Sequence, residues 1–161
     1  KASTLYAMEI PSVGGNTLFA NCYTAWETLP TELREKLGGL KAHHIYDYAG
    51  NPLKRGDNID PNAPQYFHPV ARTHPATKRK ALYVNRLMTD YIDGLSGEES
   101  DEILAQLFAH SEEPRFVYEH VWRVGDLVMW DNRCSMHART DFDPNERRMM
   151  RRITVKGEAV Q

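Results

Sequence analysis

"GDLVMWDNRCSMHARTDFDPNERRMMRRITVKG", Gly125–Gly157, runs from an apolar stretch through a short polar turn to one histidine and then to a crowded basic run. "DLVMWD" and "RRITVKG" read as strands, and "DNRCS" as the turn that closes the first of them. His137 follows Trp130 by seven residues. Beyond it, Arg147, Arg148, Arg151 and Arg152 lie within six residues, in a chain whose net charge is -2. Successive side chains of a strand point to opposite faces, so Arg148 and Arg152, four apart, should share one side and Arg147 and Arg151 the other. If the shared side is an interior, two guanidiniums enter one cavity. Buried arginines need anionic partners, and the forked guanidinium suits a carboxylate or sulfonate. A lone histidine by itself is more often an ordinary polar or packed residue than a ligand.

Outward from this stretch, short β-type runs dominate. "STLYAMEI" is of strand length and ends at Pro11, before a glycine turn in "VGGNT". "TLFANCYTAWETL" and "PTELREKLGGL" read as two short helical pieces; Pro30 opens the second and Gly38-Gly39 stop it. Gly50–Pro69 is rich in Pro, Asn, Asp and Gly without periodicity, and reads as a long loop of the kind that serves as a lid. "ALYVNRL" is another β-type run. "LSGEESDEILAQLFAHSEE" opens with a capping box, Ser96 with Glu99, and puts Ile103, Leu104, Leu107 and Phe108 on one helical face. "RFVYEHVW" alternates as a strand. Strands do not alternate regularly with helices, so the pattern predicts a mostly β fold with helical insertions, a sandwich or jelly roll, rather than a doubly wound parallel sheet.

Composition bounds the rest. A chain of 161 residues, 41% hydrophobic and 26% charged, is expected to form a single domain, 1–161, with a real core. Twenty Lys+Arg against 22 Asp+Glu argue against a nucleic-acid or membrane partner held by overall charge. Two cysteines, Cys22 and Cys134, make no disulfide framework, which predicts a cytoplasmic setting. No apolar run is long enough to span a bilayer, and no signal peptide is legible. The chain begins without Met in what reads as a strand, which predicts that an amino-terminal part of the native protein lies upstream.

"GGNTLFANCYTAWETLP", "RTHPATKRKALYVN" and the opening stretch together resemble the carboxy-terminal two-thirds of the taurine/2,4-dichlorophenoxyacetate dioxygenase family. The most specific part is "WDNR", three residues, His, ten residues, Arg, three residues, Arg. The resemblance implies a double-stranded β-helix (jelly roll) and an oxygenase that uses Fe(II), 2-oxoglutarate as cosubstrate, and O2. Such enzymes hold iron by a 2-His-1-carboxylate facial triad with open positions left for the other reactants. His137 matches the carboxy-terminal histidine of that triad. Arg148 and Thr17 match the pair that holds the far carboxylate of 2-oxoglutarate, Arg152 the arginine that meets an anionic prime substrate, and Met88 an apolar lining position of the substrate pocket. The family couples oxidative decarboxylation of 2-oxoglutarate, to succinate and CO2, with substrate hydroxylation. The substrates implied are small anions: taurine or another alkylsulfonate, an alkyl sulfate, or an aryloxyalkanoate. Association into a dimer or tetramer is also implied.

One departure is plain. The remaining ligands form a His-x-Asp motif in the family, and this chain contains none. "HSE", His110–Glu112, sits where a helix ends, a place that favours histidine electrostatically, and is rejected as a ligand pair. His43, His44, His68, His74 and His120 are read as loop or strand residues without a catalytic role. The other ligands are therefore expected upstream of residue 1, and the chain alone is expected to be inactive. Two readings compete: a metal-free jelly-roll module that captures a small anion through Arg148 and Arg152, and a structural fragment whose arginines knit a subunit interface. The combination of Thr17, His137 and Arg148 speaks against both.

Overall fold

A computed structural model describes residues 2–46 and 62–156. Its architecture is mostly β with helical insertions. Eleven strands are present among these residues: β1 (Ala2–Glu9), β2 (Thr17–Asn21), β3 (Lys41–Ile45), β4 (Gln65–Pro69), β5 (Ala71–Thr73), β6 (Lys80–Leu82), β7 (Thr89–Ile92), β8 (Val117–His120), β9 (Leu127–Asp131), β10 (Ser135–Arg139) and β11 (Met149–Val155). Helices α1 (Cys22–Glu27), α2 (Thr31–Leu37) and α3 (Gly97–Ser111) fall between them. The strands form three-stranded sheets ordered β11-β1-β9, β10-β2-β8 and β4-β3-β7, with β5-β6 as a separate ladder; every pairing is antiparallel.

The densest packing lies away from the basic run. Ala25, Trp26 and Leu29 around α1, Ile103, Leu104 and Leu107 on α3, and Ala42, Leu82 and Ile92 on β3, β6 and β7 form one buried cluster, with Phe108 partly buried against it. Each large aliphatic side chain among them contributes about 1.5–3 kcal/mol by leaving water. α3 starts as its sequence requires: Ser96 accepts a hydrogen bond from the Glu99 N–H, and Glu98 and Glu99 lie in the first turn, toward the positive end of the helix dipole. Ser100 ties the helix to the sheet by accepting the Ile92 N–H at 2.8 Å.

Several expectations change. "TLFAN" is strand β2, not helix, because both of its edges are taken by β10 and β8. The helix begins only after Asn21, whose side chain accepts the N–H groups of Tyr23 and Thr24. The carboxy-terminal end of the expected Gly50–Pro69 loop is strand β4, paired with β3, while residues 50–61 lie outside the described ones. His43 and His44 are buried on β3, a strand with no clear period in its sequence. In "ALYVNRL" only the first residues are strand. The rest turns on Asn85, whose side chain accepts the N–H of Leu87 and of Met88.

Candidate active site

The inner face of the β11-β1-β9 sheet is read from β1, where Ser3 and Ala7 are wholly buried while Tyr6 and Met8 are exposed. Directly paired residues of antiparallel strands project to the same side. Trp130 pairs with Ser3 and Arg152 with Leu5, so both lie on the Ser3–Ala7 side. Arg151 pairs with Tyr6 on the outer side, where Leu127 and Met129 are also exposed. Arg148 is placed differently. It precedes β11, and the register slips between Ala7 and Glu9, so strand alternation does not fix its direction. Its Nε instead donates to the Gly15 carbonyl at 2.8 Å. Arg147 turns away to pair with Glu9 at 3.0 Å.

The glycines of "GGNT" have a definite task. Gly14 and Gly15 both have positive φ, +75° and +66°. A Cβ on Gly14 would stand 2.1 Å from the Asp141 carbonyl oxygen, and one on Gly15 would press on Arg148 Cδ at 3.1 Å. Only residues without a side chain let the turn lie against both. The next residues are laced to the strand after His137: the Asn16 N–H donates to Thr140 Oγ1 at 2.9 Å, and the Thr140 N–H donates to the Asn16 carbonyl at 3.0 Å. Thr17 follows at once, buried, its hydroxyl accepting the Trp122 indole N–H at 3.0 Å. That contact fixes the rotamer and leaves the hydroxyl proton free to be donated.

His137 stands on β10 opposite Phe19 of β2. Trp130 bridges the two sheets, its ring 5.2 Å from that of Phe19 and 4.9 Å from the imidazole of His137. The tryptophan is itself held: its N–H donates to Asn132 Oδ1, and Asn132 Nδ2 donates to Ser3 Oγ, each at 2.9 Å. Burial first, and the charge of Arg152 second, hold the His137 pKa below its ordinary value. The imidazole is therefore neutral near neutral pH, the form with a lone pair for a metal. The structure thus sets Thr17 and His137 on one face of the β10-β2-β8 sheet, Arg148 against the glycine turn before β2, and Arg152 on the Ser3–Ala7 face of the neighbouring sheet, with His137 and Arg152 exposed. Met88 is placed in the turn between β6 and β7, with its carbonyl accepting the Ile45 N–H of β3.

The group of possible metal donors that does assemble among the described residues is His74, Asp131 and Cys134. Its chemistry argues against a metal. His74 Nδ1 accepts the N–H groups of Ala76 and Thr77, so Nε2 keeps its proton and donates it to Asp131 Oδ2 at 3.1 Å. Arg133 takes both carboxylate oxygens, and its hydrogen bonds, before that of His74, hold the Asp131 carboxyl well below the usual carboxylate range. Burial raises the Cys134 thiol, and raises Cys22 to about 12, so neither is a thiolate near neutral pH. These residues form a knot that ties the β5-β6 ladder to the turn before His137. A cavity of about 720 Å³ lies beside it, lined by Tyr23, Asp131, Cys134 and Phe19.

Sequence reasoning missed Trp122, Trp130 and Arg139. Strand alternation carries a signal for the last, which lies two residues beyond His137 on the same face. No helix among the described residues is long and apolar enough to cross a membrane.

Residues 1–154 match the family model described as taurine catabolism dioxygenase TauD, TfdA family. Pentalenolactone F synthase of Streptomyces avermitilis is 39% identical over 94% of this chain and 55% of its own length. The alpha-ketoglutarate-dependent 2,4-dichlorophenoxyacetate dioxygenase of Cupriavidus pinatubonensis is 38% identical over 98% of this chain and 56% of its own. The chain spans a little over half the length of these curated relatives. Among solved structures, that of AAD-2 in complex with Mn(II) and N-oxalylglycine superposes with a TM-score of 0.89 at 34% identity, over 99% of this chain and 64% of that one.

Proposed function

The chain belongs to the TauD/TfdA dioxygenase family, with the jelly-roll fold of that family, and from this we propose that it supplies the cosubstrate- and anion-binding part of an Fe(II)- and 2-oxoglutarate-dependent dioxygenase. The observation that carries the proposal is the placement of Thr17 and His137 on one sheet face, with Arg148 at the adjoining glycine turn and Arg152 on the face of the neighbouring sheet whose Trp130 meets His137. On this reading the chain is the carboxy-terminal part of a longer protein, and the remaining iron ligands belong to a His-x-Asp motif upstream of residue 1.

The donor set fits in part. His137, neutral and held between Phe19 and Trp130, suits one iron position, and no other His, Cys, Asp or Glu among the described residues forms a three-donor group with it. When bound, the iron centre supplies oxygen activation coupled to oxidation of 2-oxoglutarate to succinate and CO2, and hydroxylation of the substrate. The chain's own residues do the positioning. Arg148, anchored through Nε to Gly15, keeps its terminal nitrogens for the far carboxylate of 2-oxoglutarate, and the hydroxyl of Thr17, two residues further along the same turn, serves the same carboxylate. Arg152, on the inner face near His137, takes the anionic end of the prime substrate and so presents one C–H bond to the metal side. The Phe19 and Trp130 rings pack beside the imidazole and orient it, while His137 itself stays open to solvent. The substrate class is a small anion: an aryloxyalkanoate, an alkylsulfonate or an alkyl sulfate. Met88 remains a proposed lining residue of its pocket, and association into a dimer or tetramer is proposed with it.

The test is succinate release by the full-length protein across a panel of such anions, with iron content measured in parallel. Dependence on iron(II), and loss of both metal and turnover in His137→Ala, are the expected results. Unchanged iron content and turnover in that variant would sink the reading. Anion binding with neither iron nor succinate would favour the metal-free module instead.

A further inference from the structure

Arg139 has no role in the scheme above, yet its surroundings are those of a binding group. The β10-β2 register sets it directly opposite Thr17, two residues past His137 on the same face. Its guanidinium lies over the Phe142 ring, 4.8 Å from the centroid. Phe142 is bridged to Gly14, and the Gly15 N–H donates to the Asp141 carbonyl at 3.1 Å. The aromatic shelf that carries Arg139 is therefore fastened to the same glycine turn whose Gly15 carbonyl anchors Arg148. After burial, the charge of Arg139 is what depresses the Arg148 guanidinium. Among the described residues neither arginine has a carboxylate partner, although nearby Arg147 and Arg133 do. Two guanidiniums close enough to repel, with no acid between them, gain most from an anion that both can reach.

We propose that Arg139 is a second guanidinium for the far carboxylate of 2-oxoglutarate, so that Thr17, Arg139 and Arg148 together select a 2-oxo diacid over 2-oxo monoacids. The inference rests on the functional reading above and extends it to a residue the motif does not include. The Phe142 ring beneath the exposed guanidinium limits the rotamer freedom lost on binding. The carboxylate then meets one cation from the strand carrying His137 and another from across the glycine turn.

The experiment uses the full-length protein loaded with Mn(II), so that nothing turns over. Dissociation constants for 2-oxoglutarate and for 2-oxovalerate, which lacks the far carboxylate, are read from fluorescence of Trp122 and Trp130 and checked by calorimetry. Arg139→Ala should weaken 2-oxoglutarate about tenfold or more, the loss expected for a hydrogen bond to a charged group, and leave 2-oxovalerate unchanged. Arg139→Lys should recover part of the loss, and provides a milder variant should alanine disturb the fold. Unchanged 2-oxoglutarate binding in Arg139→Ala, with Arg148→Ala still impaired, would overturn this inference and leave the functional reading standing. Equal weakening of both ligands would assign Arg139 a structural role and also overturn it. No 2-oxoglutarate binding by the unaltered protein would remove the functional reading itself.

Discussion

Four arginines sit in one basic run, and their partners divide them. Arg147 is mostly exposed and paired with Glu9, while Arg151 lies on the outer face opposite Tyr6. Alanine at either should change binding and stability little, since exposed pairs contribute about 0–1 kcal/mol. Arg148 is half-buried and anchored, so Arg148→Ala should weaken 2-oxoglutarate by roughly 30-fold or more, the cost of truncating one partner of a desolvated charge pair. Arg152→Ala should leave 2-oxoglutarate nearly unaffected and weaken the anionic substrate instead. Separate titrations of the two ligands check this division. Greater damage from Arg151→Ala than from Arg152→Ala would put β11 in the other register. A second residue-level expectation concerns Asp131. The bonds from Arg133 and His74 lower its folded pKa, so its stabilising effect is full above the unfolded value and disappears as pH falls through the folded one. Asp131→Asn should therefore cost roughly 1–3 kcal/mol near neutral pH. The gap between variant and parent should stay level from about pH 8 to 5 and narrow below about pH 4. Urea unfolding across that range measures it, and a gap that widens in acid would contradict the assignment.

At the level of elements, the glycine turn before β2 joins backbone geometry to binding. Gly14 combines positive φ with a 2.1 Å approach to the Asp141 carbonyl. Gly14→Ala should lose roughly 1–2 kcal/mol from the left-handed backbone alone, and more from the displaced strand. Because the turn carries Thr17 on one side and Arg148 on the other, 2-oxoglutarate binding should fall with stability. Gly39, with nothing within 4 Å of its added Cβ and no positive φ, is the control, and alanine there should be tolerated. Thermal unfolding and ligand titration of the pair decide the matter; equal effects at both positions would deny the turn its special role.

Across the whole molecule, the main core and the candidate site occupy different places. The largest apolar cluster lies among α1, α3 and the β3 sheet, while the sheets of the site carry rows of half-buried and exposed residues such as Val128, Met136 and Met150. On the proposed reading His137 is one donor of the set an iron site needs, and the His74–Asp131–Cys134 group is closed by its own hydrogen bonds. The 161-residue chain by itself should consequently bind Co(II) weakly and without defined stoichiometry. Absorption titration reports it directly, because a tight one-to-one complex with a tetrahedral spectrum would reveal ligands other than His137.

Local periodicity and spacing were enough for the strands in "DLVMWD" and "RRITVKG", though not for β10 between them, for the capped start of α3 at Ser96, and for the opposite faces taken by Arg151 and Arg152. Each of these depends on residues a few positions apart, where side-chain direction follows the period of the backbone. The spacing of His137, Arg148 and Arg152 was likewise enough to name the family. What the chain did not disclose locally depends on distant partners. "TLFAN" becomes a strand because β8 and β10 supply its hydrogen bonds, a tertiary contribution larger than its helical tendency. Arg148 faces Gly15 because a glycine turn from the other end of the chain offers a carbonyl. Thr17 meets Trp122, His74 meets Asp131, and Arg139 comes to rest beside the turn that holds Arg148, all across long separations. Pairing of that kind is decided by which strands lie side by side, and no local propensity encodes it.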